Sequence, residues 1–165
     1  MVMGRLLIGE DRLEDAMEVA ERASKIAVAS PAHLAQAWQL KHLIYFEEAG
    51  YVAASEAAER VVAPKPSSAL GFMQRATALS KLGRYEEALA DAAWAISIAP
   101  GDSEVWRGQA YVFCELNRYA EAQRALDHAL ALDPRNVKAL VELAQVLATL
   151  ENYKQLLLRP GKRRA

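Results

Sequence analysis

Four tyrosines set the frame for any fold this chain can adopt. Tyr51, Tyr85, Tyr119 and Tyr153 are each 34 residues apart. Six of the 165 residues are tyrosine. Three further hits at one fixed spacing from a given tyrosine therefore have a chance probability on the order of 10⁻⁴ to 10⁻⁵, so an internal repeat is the better account. Other columns share the period: Pro66, Pro100 and Pro134; Trp38, Phe72, Trp106 and Leu140; Ala54, Ala88 and Ala122, followed by Leu156.

Each period reads as two helices. Trp106, Ala110 and Phe113 share one helical face, and Tyr119, Ala122, Leu126, Ala129 and Leu130 share one in the next segment. Boundary residues recur in step. Ser68, Asp102 and Asn136 are N-cap types whose side-chain oxygen can accept from the first free N–H groups. Gly83 and Asn117 precede the tyrosines and tolerate the left-handed conformation that ends a helix. The expected fold is all-α, with nine helices or nearly so and breaks near residues 30, 50, 66, 83, 100, 117, 134 and 150.

A 34-residue period running from an aromatic and a small residue through alanines to a proline resembles the tetratricopeptide repeat family. The resemblance implies a right-handed superhelix, an α-solenoid of antiparallel helix pairs. Full repeats are placed at 35–68, 69–102 and 103–136, with a shortened fourth at 137–158 and a basic tail at 159–165. Residues 1–34 read as a partial repeat. Leu13-Glu14-Asp15-Ala16 resembles Tyr85-Glu86-Glu87-Ala88, so a second-type helix is expected from Asp11 to about Ala29, with its partner missing or reduced to Met3–Ile8. Pro31 opens the next helix, where its missing N–H costs nothing. The small position of the first helix is Ala76, Ala110 and Ala144. His42 stands in that column and departs from the pattern.

Stacked helix pairs bury a continuous core and leave an extended concave surface. Trp38, Trp106, Tyr85 and Tyr119 are expected in the core. With Trp106 set at zero, Glu104, Arg107, Tyr111 and Cys114 fall together at about 80–160° around their helix. The resemblance implies that this stripe lines a groove for a protein or peptide partner. Stepping by 34 adds Gln39, Leu43 and Phe46, then Met73 and Thr77, then Val141 and Gln145. Phe46, Met73 and Tyr111 are the expected anchors. Arg107 is the central cation, receiving at most one acidic contact. Members of the family that bind chaperone tails hold two carboxylates with lysine, asparagine and arginine. The matching positions here carry Gln39, Leu43, Gln74, Glu104 and Gly108, or, one repeat along, Met73, Thr77, Gly108, Lys138 and Glu142. Neither set can form that clamp. An asparagine ladder like that of the serine- and threonine-modifying glycosyltransferase would occupy Leu40, Gln74, Gly108 and Glu142, and is missing too.

Composition narrows the function further. Net charge is −1 with the signs mixed, so no global field draws the chain to nucleic acid or anionic lipid. The exception is Arg159, Lys162, Arg163 and Arg164, read as a solvated tail. No uncharged run approaches the roughly 18 residues of a membrane span, and no secretory leader is evident, so the cytoplasm is the default compartment. No enzyme, cofactor or metal is expected. His33, His42 and His128 are isolated from one another, and Cys114 has no activator near it in sequence. The expected function is a non-catalytic adaptor or scaffold. The alternatives are a small dedicated chaperone, resembling those of bacterial secretion systems in size and repeat number, and self-assembly through the terminal helices.

Overall fold

The computed structural model describes residues 12–27, 30–63 and 68–158. Eight helices follow in order: α1 (Leu13–Ile26), α2 (Pro31–Glu47), α3 (Tyr51–Val62), α4 (Ala69–Lys81), α5 (Tyr85–Ile98), α6 (Ser103–Glu115), α7 (Tyr119–Leu132) and α8 (Val137–Leu158). No strand occurs among the described residues. Each of α2, α4 and α6 packs on the helix that follows it, and α4 also packs on α6, so consecutive pairs stack into one solenoid.

The helix ends follow from the repeated boundary residues. Ser68 Oγ accepts from the Gly71 N–H (3.2 Å), Asp102 Oδ1 from the Glu104 N–H (2.9 Å), and Asn136 Oδ1 from the Ala139 N–H (3.1 Å). At the other end, Ala49, Gly83 and Asn117 adopt positive φ of 57°, 75° and 58°. The residue after each then donates back five positions: Gly50 to Tyr45, Arg84 to Leu79 and Arg118 to Phe113, at 2.8–3.0 Å. This is the Schellman closure, and it turns the chain into the second helix of each pair.

The break expected near residue 150 is absent, because α8 runs through to Leu158. Glu151 stands in the column of Ala49, Gly83 and Asn117. Glutamate is a good helix former and carries a Cβ that disfavours the left-handed turn. The helix therefore continues where its counterparts fold back. The first helix is also shorter than expected, Leu13–Ile26, and its proposed partner at Met3–Ile8 lies outside the described residues.

The core is built mainly of alanine. Ala16, Ala20, Ala37, Ala54, Ala58, Ala76, Ala88, Ala92, Ala95, Ala122 and Ala129 are all fully buried. Small faces let the helix axes approach closely, and the gain comes from dense packing. The large aromatics are displaced to the seams, against expectation. Tyr85 is 41% exposed, while Trp38, Trp106 and Tyr119 are half-buried. Trp106 donates its Nε1–H to the Pro100 carbonyl (2.8 Å), and its ring lies 4.0 Å from that of His128. Trp38 is flanked by Lys41 and Arg60, 4.6 and 4.7 Å from its ring centre.

His42 replaces alanine in the small column and is buried. Its Nδ1–H donates to the Ala54 carbonyl at 2.9 Å, which bonds α2 to α3 through side chain and backbone. Burial lowers its pKa below the ordinary 6.5, against the opposing pull of that hydrogen bond. The fold thus holds the neutral ring, while the unfolded chain takes up a proton below 6.5. Stability is complete above that pH and declines below it. The urea midpoint is expected to fall between about pH 7 and about pH 5.5, and His42→Ala should flatten that fall even though it opens a cavity. An equal pH slope in both proteins would contradict the assignment. The carboxylates held low, Glu87, Glu104 and Glu121, start from 4.5 and act below this window.

Candidate functional site

The first helix of each pair lines the concave side. Two hollows adjoin there. The larger, about 410 Å³, is framed by α2 (His42, Leu43, Phe46, Glu47), α4 (Leu70, Met73, Gln74, Thr77) and α6 with its cap (Asp102, Glu104, Val105, Arg107, Gly108, Tyr111). The smaller, about 350 Å³, lies between α6 and α8. Tyr111, Cys114, Glu115, Glu142, Gln145 and Thr149 line it, over Leu126 and Val146. Tyr111 borders both and forms the partition.

The structure brings most of the sequence-derived residues together. Leu43, Phe46, Met73, Thr77, Arg107 and Tyr111 line the larger hollow, and Tyr111, Cys114 and Gln145 the smaller. Gln39 is half-buried and borders neither. Val141 is 52% exposed and also lies outside both.

Two expected roles change. Met73 is only 6% exposed, so it forms the floor and does not project as an anchor. It lies there because residue 108 is glycine: a Cβ at Gly108 would stand 2.4 Å from Met73 Cγ. Arg107 is not a free cation. It donates to Glu104 on its own helix (2.9 Å) and to Glu142 on α8 (2.7 Å). Lys81 is committed in the same way, donating to Glu115 at 3.0 Å. Its ammonium also lies 5.5 Å from the centre of the Tyr111 ring. Both long-range pairs join neighbouring repeats.

The titratable groups are arranged for packing. Burial, with Glu142 and Glu115 nearby, pushes the Cys114 thiol up to about 11. It stays protonated at neutral pH and is a poor nucleophile. Burial likewise raises the Tyr111 phenol. Among the described residues no group of three His, Cys, Asp or Glu side chains is placed to hold a metal ion. No described helix is long and apolar enough to cross a membrane.

Sequence reasoning missed Gln74 as a lining residue in its own right, and it missed Glu47. Stepping the stripe by 34 follows one angular window, and Gln74 lies about 100° on from Met73. It lines the hollow all the same, beside Met73 and Thr77 of the same helix.

Stacked antiparallel helix pairs with a groove along their first helices define the class: a helical-repeat solenoid. Residues 71–102 and 103–136 each match the tetratricopeptide repeat family, so these two segments are tetratricopeptide repeats. It is 31% identical over 86 residues to the small glutamine-rich tetratricopeptide repeat-containing protein 2 of Mycosarcoma maydis, a match covering 52% of this chain and 24% of that protein. The chain thus spans about a quarter of that relative's length. Among solved structures, a thermophilic tetratricopeptide-repeat protein of Thermus thermophilus superposes with a TM-score of 0.79 at 22% identity, over 90% of this chain and 79% of that one, and shares the fold. The second such domain of human RPAP3, solved in complex with the HSP70 peptide SGPTIEEVD, gives a TM-score of 0.59 at 28% identity over 71% of this chain and 98% of that domain.

The Met73–Gly108 contact can be tested by size. Gly108→Ala is expected to cost about 1–3 kcal/mol by overpacking. Adding Met73→Ala should return part of that loss, because the two residues are in contact. Strictly additive urea-unfolding energies would show that the side chain does not occupy that space.

Proposed function

We propose that this chain is a non-catalytic adaptor that holds a peptide or helix of a partner protein in the concave groove of α2, α4, α6 and α8. The observation that carries the reading is the pair of adjoining hollows along the first helices, apolar in the floor and divided by a half-buried tyrosine. Extended clefts of this kind suit a segment laid along them, with large side chains as anchors. The RPAP3 domain, which shares the fold, is described with a peptide bound, and this supports the class of ligand. Gln39, Leu43, Phe46, Met73, Thr77, Arg107, Tyr111, Cys114, Val141 and Gln145 remain the proposed contact stripe. Phe46 and Tyr111 are its anchors. Tyr111→Ala should weaken binding of a partner, recovered from native extract and identified by mass spectrometry, by about 1–2 kcal/mol or more. The helical circular dichroism should stay unchanged. Normal binding by both Tyr111→Ala and Phe46→Ala, with binding abolished by removal of the residues after Leu158, would move the site off the groove.

One observation favours a second reading, self-association through α8. Val137, Leu140, Val141 and Leu147 are 44–69% exposed on that helix, in an apolar stripe running over about three turns. Leu140 and Leu147 occupy the columns of Trp106 and Phe113, which pack against the second helix of their own repeat. If a second copy covers the stripe, the mass from light scattering falls on dilution and Leu140→Lys holds the chain monomeric at all concentrations. A monomeric mass throughout for the parent chain would remove this reading.

A further inference from the structure

One residue of the larger hollow's lining carries an acceptor with nothing to accept. Gln74 on α4 is 8% exposed, and its Oε1 is buried without a hydrogen-bond donor. Buried polar atoms in native proteins almost always have a partner, so an orphan in the wall of a cleft points to a donor supplied from outside. The charges around it agree in sign. Glu47, at the end of α2, and Asp102, at the cap of α6, both line the hollow and have no ion-pair partner among the described residues. The one lining cation, Arg107, is chelated by Glu104 and Glu142, and Lys81 beyond it is held by Glu115. The lining therefore carries an unfilled acceptor and a net negative charge, and its one cation is already held by two carboxylates. Leu43, Phe46 and Val105 supply apolar surface beside these groups.

We infer that this hollow takes an extended partner segment carrying a lysine or arginine flanked by apolar side chains. The ligand's N–H groups reach Gln74 Oε1, and its positive charge is matched by Glu47 and Asp102. The inference rests on the groove reading above and specifies its ligand. It also opposes the ligand of the similar RPAP3 domain, whose peptide SGPTIEEVD ends in acidic residues. An acidic segment here would meet Glu47, Asp102 and Glu104, and would have to share Arg107 with the two carboxylates that already hold it. Like charges brought together in a partly buried cleft disfavour the complex.

The test uses the whole chain. Random nonapeptides displayed on phage are selected on it. The leading sequence is then synthesised and titrated by fluorescence anisotropy beside SGPTIEEVD. Selected peptides should carry Lys or Arg between apolar residues, and the leading one should bind at least about tenfold tighter than SGPTIEEVD and weaken as salt rises. Gln74→Leu, and separately the double variant Glu47→Gln with Asp102→Asn, should each weaken it about fivefold or more. Asparagine keeps the cap of α6, so the double variant removes charge while preserving the helix start, and it stands as a test should Gln74→Leu fail to fold. Acidic peptides that bind as tightly or tighter, and lose affinity in Tyr111→Ala, would leave the groove standing and overturn the ligand class. Basic peptides indifferent to Tyr111→Ala and to both sets of variants would overturn the groove reading as well, as would a selection that yields no binder. Tighter peptide binding after removal of the residues beyond Leu158 would make this chain's own basic end the occupant, and would overturn the assignment to a partner.

Discussion

Close approach of alanine faces is the constraint on which the rest of this molecule depends. Ala54, Ala88 and Ala122 at one position of the period, and Ala76 and Ala110 at another, are buried to within about a hundredth of their surface. With so little side chain between them, the helices sit close enough that a larger residue fits only where something else gives way. His42 fits by donating to a carbonyl of the opposing helix. Met73 fits because the facing residue is Gly108. Larger rings are driven to the seams, where Trp106 can still direct its N–H to the Pro100 carbonyl. The curvature that creates the concave hollows follows from the same spacing, repeated from pair to pair.

Charges are placed on top of this packing to tie repeats together. Arg75 and Asp91 form a two-bond pair within one repeat, at 2.7 and 2.8 Å. Lys81–Glu115 and Arg107–Glu142 span neighbouring repeats, 34 and 35 residues apart. Asn136 adds a third bridge, donating to Ser103 and Glu104 while it caps α8. These bonds run across the groove wall. Each cation that joins two repeats has its charge already matched by a carboxylate of the neighbouring repeat.

Local features of the fold were legible in the sequence, and relational ones were not. The period, the caps at Ser68, Asp102 and Asn136, and the turns at Gly83 and Asn117 depend on residues within a few positions of one another, and they recur at the expected places. Most of the proposed stripe meets in the two hollows because helical angle is also a local property. The pairing of Arg107, the burial of Met73 and the orphaned oxygen of Gln74 depend on which residue of another repeat lies opposite, and a single helical wheel carries no such information. The exposure of Tyr85 has the same origin: its column is fixed, but how much of the ring is covered depends on the helix that crosses it. Ala49 shows the limit of turn chemistry, since it takes positive φ without being glycine or asparagine.

The uninterrupted course of α8 has a mechanical consequence. Among the described residues, three turns reverse direction through one residue with positive φ, and at Glu151 that reversal does not happen. The helix keeps its heading for 22 residues, about 33 Å at the usual rise. Its first half is anchored in the stack through Ala139 and Val146. A force applied at its far end acts on that anchorage with a lever arm, and a single backbone torsion thus converts a stacking element into a strut.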